Sequence, residues 1–250
     1  MKNIILLPLI FFISKSYAQE INVLLKQAVN YERALKEDSA LLKYKSILAA
    51  DSGNIVALLK VSLLNASFGS RQSTVPAKLE LYNNAKYYAD KALLIDSTNC
   101  DANYARGLAA LDLSSIETEN KKLVILLREA FAFANRSIKY NSNHGKSNFL
   151  MGIWNFNIVN TAWTKKAAVK VLYGGIPDAS IENAILYMDK CKTSEPYFVL
   201  NFLELAKAYK FNNNPSKAIE ILNLLVKLPN RTPDDAMWKA EGKKILSEMQ

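Results

Sequence analysis

The chain has 250 residues, 50% of them hydrophobic and 22% charged, and carries a formal charge of +9 at neutral pH. A single histidine and two cysteines exclude a Cys/His metal centre, so no metal or cofactor is expected. The lysine excess suits acidic partners or an anionic membrane surface, and equally an ordinary solvated face.

The first segment, MKNIILLPLIFFISKSYA, begins with one lysine, continues as an apolar run from Ile4 to Ile13 and ends on the small-residue site Ser16-Tyr17-Ala18. This is the pattern of a secretory signal peptide. Residues 1–18 are therefore expected to be removed by cleavage after Ala18, with the chain exported to a bacterial periplasm or outside the cell. The run is too short and too broken by Pro8 to span a bilayer, and no later stretch reaches about 18 uninterrupted apolar residues, so no stable membrane span is expected. No cysteine lies near the cleavage site to carry a lipid anchor. Loss of Lys2 and Lys15 leaves a formal charge of +7 on residues 19–250.

Those residues suffice for one core or for a short repeat array that needs none at its centre. Leu24-x3-Ala28-x2-Tyr31-x8-Ala40-x3-Tyr44-x2-Ile47 matches the spacing of small and large residues on the two helices of a tetratricopeptide repeat. The pattern returns as Phe202-x2-Leu205-Ala206-x2-Tyr209-x8-Ala218-x3-Leu222-x2-Leu225. The small residue lets the helices approach and the aromatic fills the space beside it. Between these two units the second-helix half recurs from Ala85, Ala130 and Ala184, with turn formers Ser97, Ser142 and Pro196 at one offset, and Gly107 and Gly152 take the small position. The prediction is an all-α, tetratricopeptide-like helical-hairpin solenoid with repeats 21–54, 55–99, 100–144, 145–198 and 199–232. The middle repeats carry insertions between their two helices, which lie along one edge of a solenoid. Two of them, 66–79 and 113–121, are polar and read as loops or helix extensions. His144 falls at a repeat junction and reads as a turn residue. Cys100 and Cys191 lie two repeats apart, beyond the roughly 7 Å Cα separation a disulfide tolerates, and are expected to be free.

The third insertion, "TAWTKKAAVKVLYGGIP" (161–177), reads as an extra amphipathic helix. Trp163, Ala167 and Val171 form one stripe with Ala168 and Leu172 beside it, and Lys165, Lys166 and Lys170 project elsewhere. Tyr173 follows, then Gly174-Gly175 and Pro177 end the helix. Three readings stay open: a plug for the protein's own groove, a lid over a pocket for an acyl chain or an amphipathic partner helix, and contact with a membrane surface. After Pro229, Thr232 is placed to cap, Pro233 to take the first helical position and Asp234 and Asp235 to suit the helix dipole, so a capping helix is predicted over 233–249.

From Phe149 to Cys191, with the repeat that follows, the chain resembles the tetratricopeptide-like domain of the regulator of microtubule dynamics family. The resemblance covers roughly residues 80 to 249 and is carried by Gly152, Trp154, Phe156, Trp163, Lys165, Lys166, Leu172, Pro177, Ser180 and Ala184. It implies a helical binding domain without catalysis. Eukaryotic relatives are associated with microtubules and organelle contact sites, where partner and phospholipid binding are attributed to this domain. An exported chain meets no microtubules, so the fold and an apolar ligand carry over and the microtubule role does not.

Register positions 2, 5, 9 and 12 of each first helix point into the concave face of such a solenoid. They give Leu25, Val29, Val56, Leu59, Leu63 and Leu111, and a candidate ligand groove of Tyr104, Leu108, Phe149, Ile153, Phe156, Leu200 and Leu203, with few charges. An uncovered apolar trough invites association, so an occupant is expected: a protein or peptide partner, or an acyl lipid as the alternative. Phe156 reads as packing or as ligand contact, Trp154 as packing. No nucleophile elbow, phosphate loop, zinc helix or Rossmann glycine cluster is present. The expectation is a non-catalytic binding module that takes no nucleic acid, of unspecified oligomeric state.

Overall fold

Five antiparallel hairpins stack side by side. Helices α1 (Leu6–Arg33) and α2 (Glu37–Ala50) form the first, α3 (Ile55–Ser70) and α4 (Val75–Ile95) the second, and α5 (Cys100–Ile116) and α6 (Asn120–Tyr140) the third. Helices α7 (Gly145–Asn160) and α8 (Ile181–Ser194) make the fourth, α9 (Val199–Phe211) and α10 (Pro215–Leu225) the fifth, and α11 (Asp235–Glu248) follows. The structure, a computed structural model, describes residues 6–160 and 175–249, and among them no strand occurs. Each first helix packs on the second helix of its own hairpin, each second helix on the next first helix, and α3, α5, α7 and α9 touch in succession to form the inner wall. Helix α1 runs through Ala18 without a break. No described helix is long and apolar enough to cross a membrane.

The hairpins close on a repeated small-to-small contact. Ala28, Ser62, Gly107, Gly152 and Ala206 hold the eighth register position, and they face Ala40, Ala85, Ala130, Ala184 and Ala218, each fully buried. Ser62 Oγ donates to Ala85 O at 2.7 Å. A Cβ on Gly152 would lie 2.6 Å from Met188 Cγ and 3.1 Å from Ala184 O, so this hairpin demands glycine. Next to Gly152, Trp154 is fully buried, donates from Nε1 to Leu127 O at 2.8 Å and packs on Phe131 with ring centroids 4.9 Å apart. It is a packing residue.

Junctions between hairpins also repeat. Asn54 Oδ1 accepts from Ala57 N at 3.1 Å and Asn99 Oδ1 from Ala102 N at 2.9 Å, capping α3 and α5. His144 holds the equivalent place, and its Nδ1 accepts from Ser147 N at 3.2 Å, so the histidine acts as a cap as well as a turn residue. In the two hairpins without insertions, Leu35 and Asn213 turn the chain at one register position, with φ of 57° and 53°. The polar insertions become helix on either side of short turns at 71–74 and 117–119: α4 and α6 each reach 21 residues, against 11 for α10.

Helix α11 packs on α9 and α10 as the predicted cap. It starts at Asp235, later than expected. Asp235 Oδ2 accepts from Arg231 N and Thr232 N at 2.6 and 2.8 Å, and Thr232 Oγ1 donates to Asp235 Oδ1 at 2.8 Å. Thr232 and Pro233 therefore belong to the entering loop rather than the cap and the first turn. Both cysteines are free: Cys100 is half-buried, and Cys191 is buried with its thiol pushed up to about 12 by desolvation.

Candidate binding pocket

The inner wall encloses a pocket of about 570 Å³, within the range of roughly 300–1,000 Å³ typical of ligand sites. Helix α3 contributes Val56, Leu59 and Leu63, and α5 contributes Tyr104 and Leu108. Phe149 of α7, Phe198 just before α9, Leu200 of α9 and Trp238 of α11 add to the apolar lining. Side chains one turn apart share a helix face, which is why Leu59 and Leu63, or Tyr104 and Leu108, reach the same space. Phe149 meets the Phe198 ring edge-on, with centroids 4.8 Å apart.

Of the seven predicted groove residues, Tyr104, Leu108, Phe149 and Leu200 line this pocket, and Ile153, Phe156 and Leu203 do not. Leu203 is fully buried, and Phe156 is 7% exposed and packs edge-on against Phe211 at 5.8 Å. Ile153 sits between the core clusters of the last hairpins. The capping helix explains the shift: Trp238 and Ile245 of α11 join the cluster that holds Phe156 and Leu203, so this end of the inner wall becomes core. Leu111 likewise turns into the core, because the helical period carries the exposed face from Leu108 to Asp112.

Trp163, Lys165, Lys166, Lys170, Leu172 and Tyr173 lie outside the described residues. Gly175 has φ 75° and its carbonyl accepts from Arg128 Nε of α6 at 2.9 Å. Ile176 packs with the cluster that includes Leu123 and Leu126. None of the described flanking residues, 157–160 and 175–180, lines the pocket.

The lining is not uncharged, which corrects the expectation of few charges. Six ionic residues reach it, among them Asp101 and Lys146 from the first turns of α5 and α7. Lys60 Nζ pairs with Glu32 Oε2 at 2.8 Å, and His144 Nε2 lies 3.1 Å from Asp101 Oδ1, holding that carboxyl below its usual range. Lys146 Nζ sits 3.1 Å from the centroid of the Phe198 ring. Burial lowers its ammonium's pKa, and Glu195 opposes that effect. The carboxyl of the half-buried Asp112 makes no hydrogen bond or ion pair among the described residues, and desolvation pushes it up to about 7. Tyr82, raised to about 12 mainly by burial, feels the Asp112 charge.

A contact between distant parts of the chain bounds the pocket. Arg71, just past the end of α3, donates from Nε and Nη2 to the two carboxylate oxygens of Asp234, both at 2.7 Å, and from Nη1 to Glu37 of α2. The Asp234 hydrogen bonds raise the guanidinium's pKa most, with burial opposing and Glu37 adding to the effect. Asp234 immediately precedes α11, so this clasp ties the second hairpin to the cap.

Stacked hairpins, a concave wall of first helices and a capping helix define a tetratricopeptide-type solenoid. A thermophilic tetratricopeptide protein in Thermus thermophilus has the same fold, with a TM-score of 0.65 at 14% identity, covering 91% of this chain and 99% of that one. The type IV pilus biogenesis factor PilW follows with 0.55 at 15% identity, covering 92% and 90%. The chain belongs to the family described as regulator of microtubule dynamics protein 1-3, whose model matches residues 19–250. It is 25% identical to regulator of microtubule dynamics protein 1 of Mus musculus over 83% of this chain and 67% of that one, and to the Bos taurus protein over 66% and 52%. The chain thus spans between about half and two thirds of the length of these relatives.

Proposed function

We propose that the chain is exported by residues 1–18 and holds a segment of a protein partner in its concave pocket, without catalysing a reaction. The observation that carries this reading is the apolar pocket itself, built from four successive first helices and walled by Tyr104, Leu108, Phe149 and Leu200. A partner helix or extended segment buries its apolar side chains in such a groove and leaves its polar ones outside. The relatives are named for microtubule dynamics; an exported chain meets no microtubules, and that role is not proposed for it. The alternative is an acyl lipid in the same pocket, favoured by the aliphatic side chains of Val56, Leu59, Leu63 and Leu108. The unpaired carboxylate of Asp112 weighs against an anionic lipid headgroup.

Site-specific photo-crosslinking in the producing cell tests the reading. A crosslinking residue at Leu59 or Leu200 is expected to capture a defined protein, and one at Leu94, 86% exposed, is not. Equal capture at all three positions overturns the pocket as the site. Native mass spectrometry of the purified protein showing bound lipid, with no protein captured at Leu59 or Leu200, replaces the leading reading by the alternative. Export is checked by N-terminal sequencing, which is expected to begin at Gln19.

A further inference from the structure

The charged groups that line the pocket have partners, with one exception among the described residues. Lys60 has Glu32, Asp101 has a hydrogen bond with His144 and the field of Lys60, Asp234 has Arg71, and Lys146 has the field of Glu195. Asp112 has no such counterpart among the described residues. It stands on α5 one turn beyond Leu108 and two beyond Tyr104, so the three share one face, at the end of the pocket away from Lys146. A carboxylate left alone in a largely apolar wall is unfavourable, and the neighbouring groups do not relieve it: Tyr82 and Tyr104, pushed up mainly by burial, are raised further by its charge. A neutral occupant would leave it unpaired and an anionic one would be repelled. A cation would gain a charge-assisted hydrogen bond, with the aromatic lining at Tyr104 favouring its approach.

We propose that Asp112 receives a lysine or arginine side chain of the protein segment that occupies the pocket, with apolar residues beside that cation lying along Leu63, Leu108 and Phe149. The proposal rests on the reading of the pocket as a protein-binding site and names the chemistry that its partner must present. The high affinity of Asp112 for a proton fits this role, since a cation would supply the charge balance that the other described lining residues do not.

Three probes with unbranched alkyl chains test it: n-hexylguanidinium, n-hexanol and n-hexanoate, titrated into the full chain and followed by backbone amide shifts of α3, α5 and α7. The guanidinium is expected to bind about tenfold or more tightly than the alcohol, and hexanoate least well. In Asp112→Asn the guanidinium advantage disappears while hexanol binding stays, and in the exposed-site control Asp38→Asn all three affinities are unchanged. Circular dichroism confirms that both variants are folded. Equal affinities for guanidinium and alcohol, or a guanidinium preference that survives Asp112→Asn, overturn the assignment of Asp112 and leave the pocket reading intact. Binding of none of the probes overturns both. A preference for hexanoate overturns the cationic partner and points to an acyl carboxylate.

Discussion

Asp112→Asn exchanges a carboxyl for a neutral group of nearly the same shape, so its effect on stability isolates the desolvation of one charge. The folded carboxyl titrates near 7 against an ordinary value of 3.8, a shift caused by burial. Below about pH 4 the group is protonated in both states and contributes nothing. As pH rises toward 7 the unfolded chain has lost the proton and the folded chain still holds it, so stability falls by about 1.4 kcal/mol per unit; above 7 the penalty levels off. The native protein should therefore be less stable than Asp112→Asn by about 2–4 kcal/mol at pH 8 and by about 1–2 kcal/mol at pH 5. Urea unfolding at the two pH values, followed by far-ultraviolet circular dichroism, measures both differences. A gain independent of pH, or no gain at pH 8, would refute the claim that an unpaired carboxylate sits in the pocket wall.

Gly152→Ala should destabilise by about 1–3 kcal/mol in urea unfolding despite alanine's better helix propensity, because the new methyl meets Met188 and the Ala184 carbonyl; a neutral result would show that this hairpin can open. Leu35→Asn relieves a left-handed backbone at an exposed turn and should raise stability by about 1 kcal/mol, the opposite sign from most substitutions. A double-mutant cycle of Arg71→Ala and Asp234→Ala should yield a coupling of about 1 kcal/mol that shrinks in high salt, since both groups are partly exposed; zero coupling would mean that the clasp does not hold. Under native conditions an aromatic disulfide reagent should label Cys100 faster than Cys191, and in denaturant the two should react alike.

The hairpins were legible because their signal is local and repeated. Ala28, Gly107, Gly152 and Ala206 mark the points of closest approach, and tight packing leaves those positions few alternatives. Tyr104, Leu108, Phe149 and Leu200 followed from the same register. What escaped it depends on tertiary placement. Leu203 and Phe156 have the right register for the wall, but they join a core cluster closed by α11 and, at Phe156, by Phe211, and no pattern within their own repeats announces that cover. Asp112 was missed because fixed register positions named Leu111, where counting four residues on from Leu108 would have found the carboxylate. Arg71 and Asp234 are 163 positions apart, and nothing in either neighbourhood links them. Phe198 and Trp238 enter the pocket from a junction and from the cap, two places that the first-helix register does not cover.

The contact between Arg71 and Asp234 also bears on how this protein can evolve. An open solenoid lengthens readily, since a duplicated unit meets only its immediate neighbours. Here the cap must return to within hydrogen-bonding reach of the second hairpin, and one more unit in between would carry Asp234 out of range. Repeat number is then a closed quantity, and change of specificity is left to substitution within a pocket of fixed size.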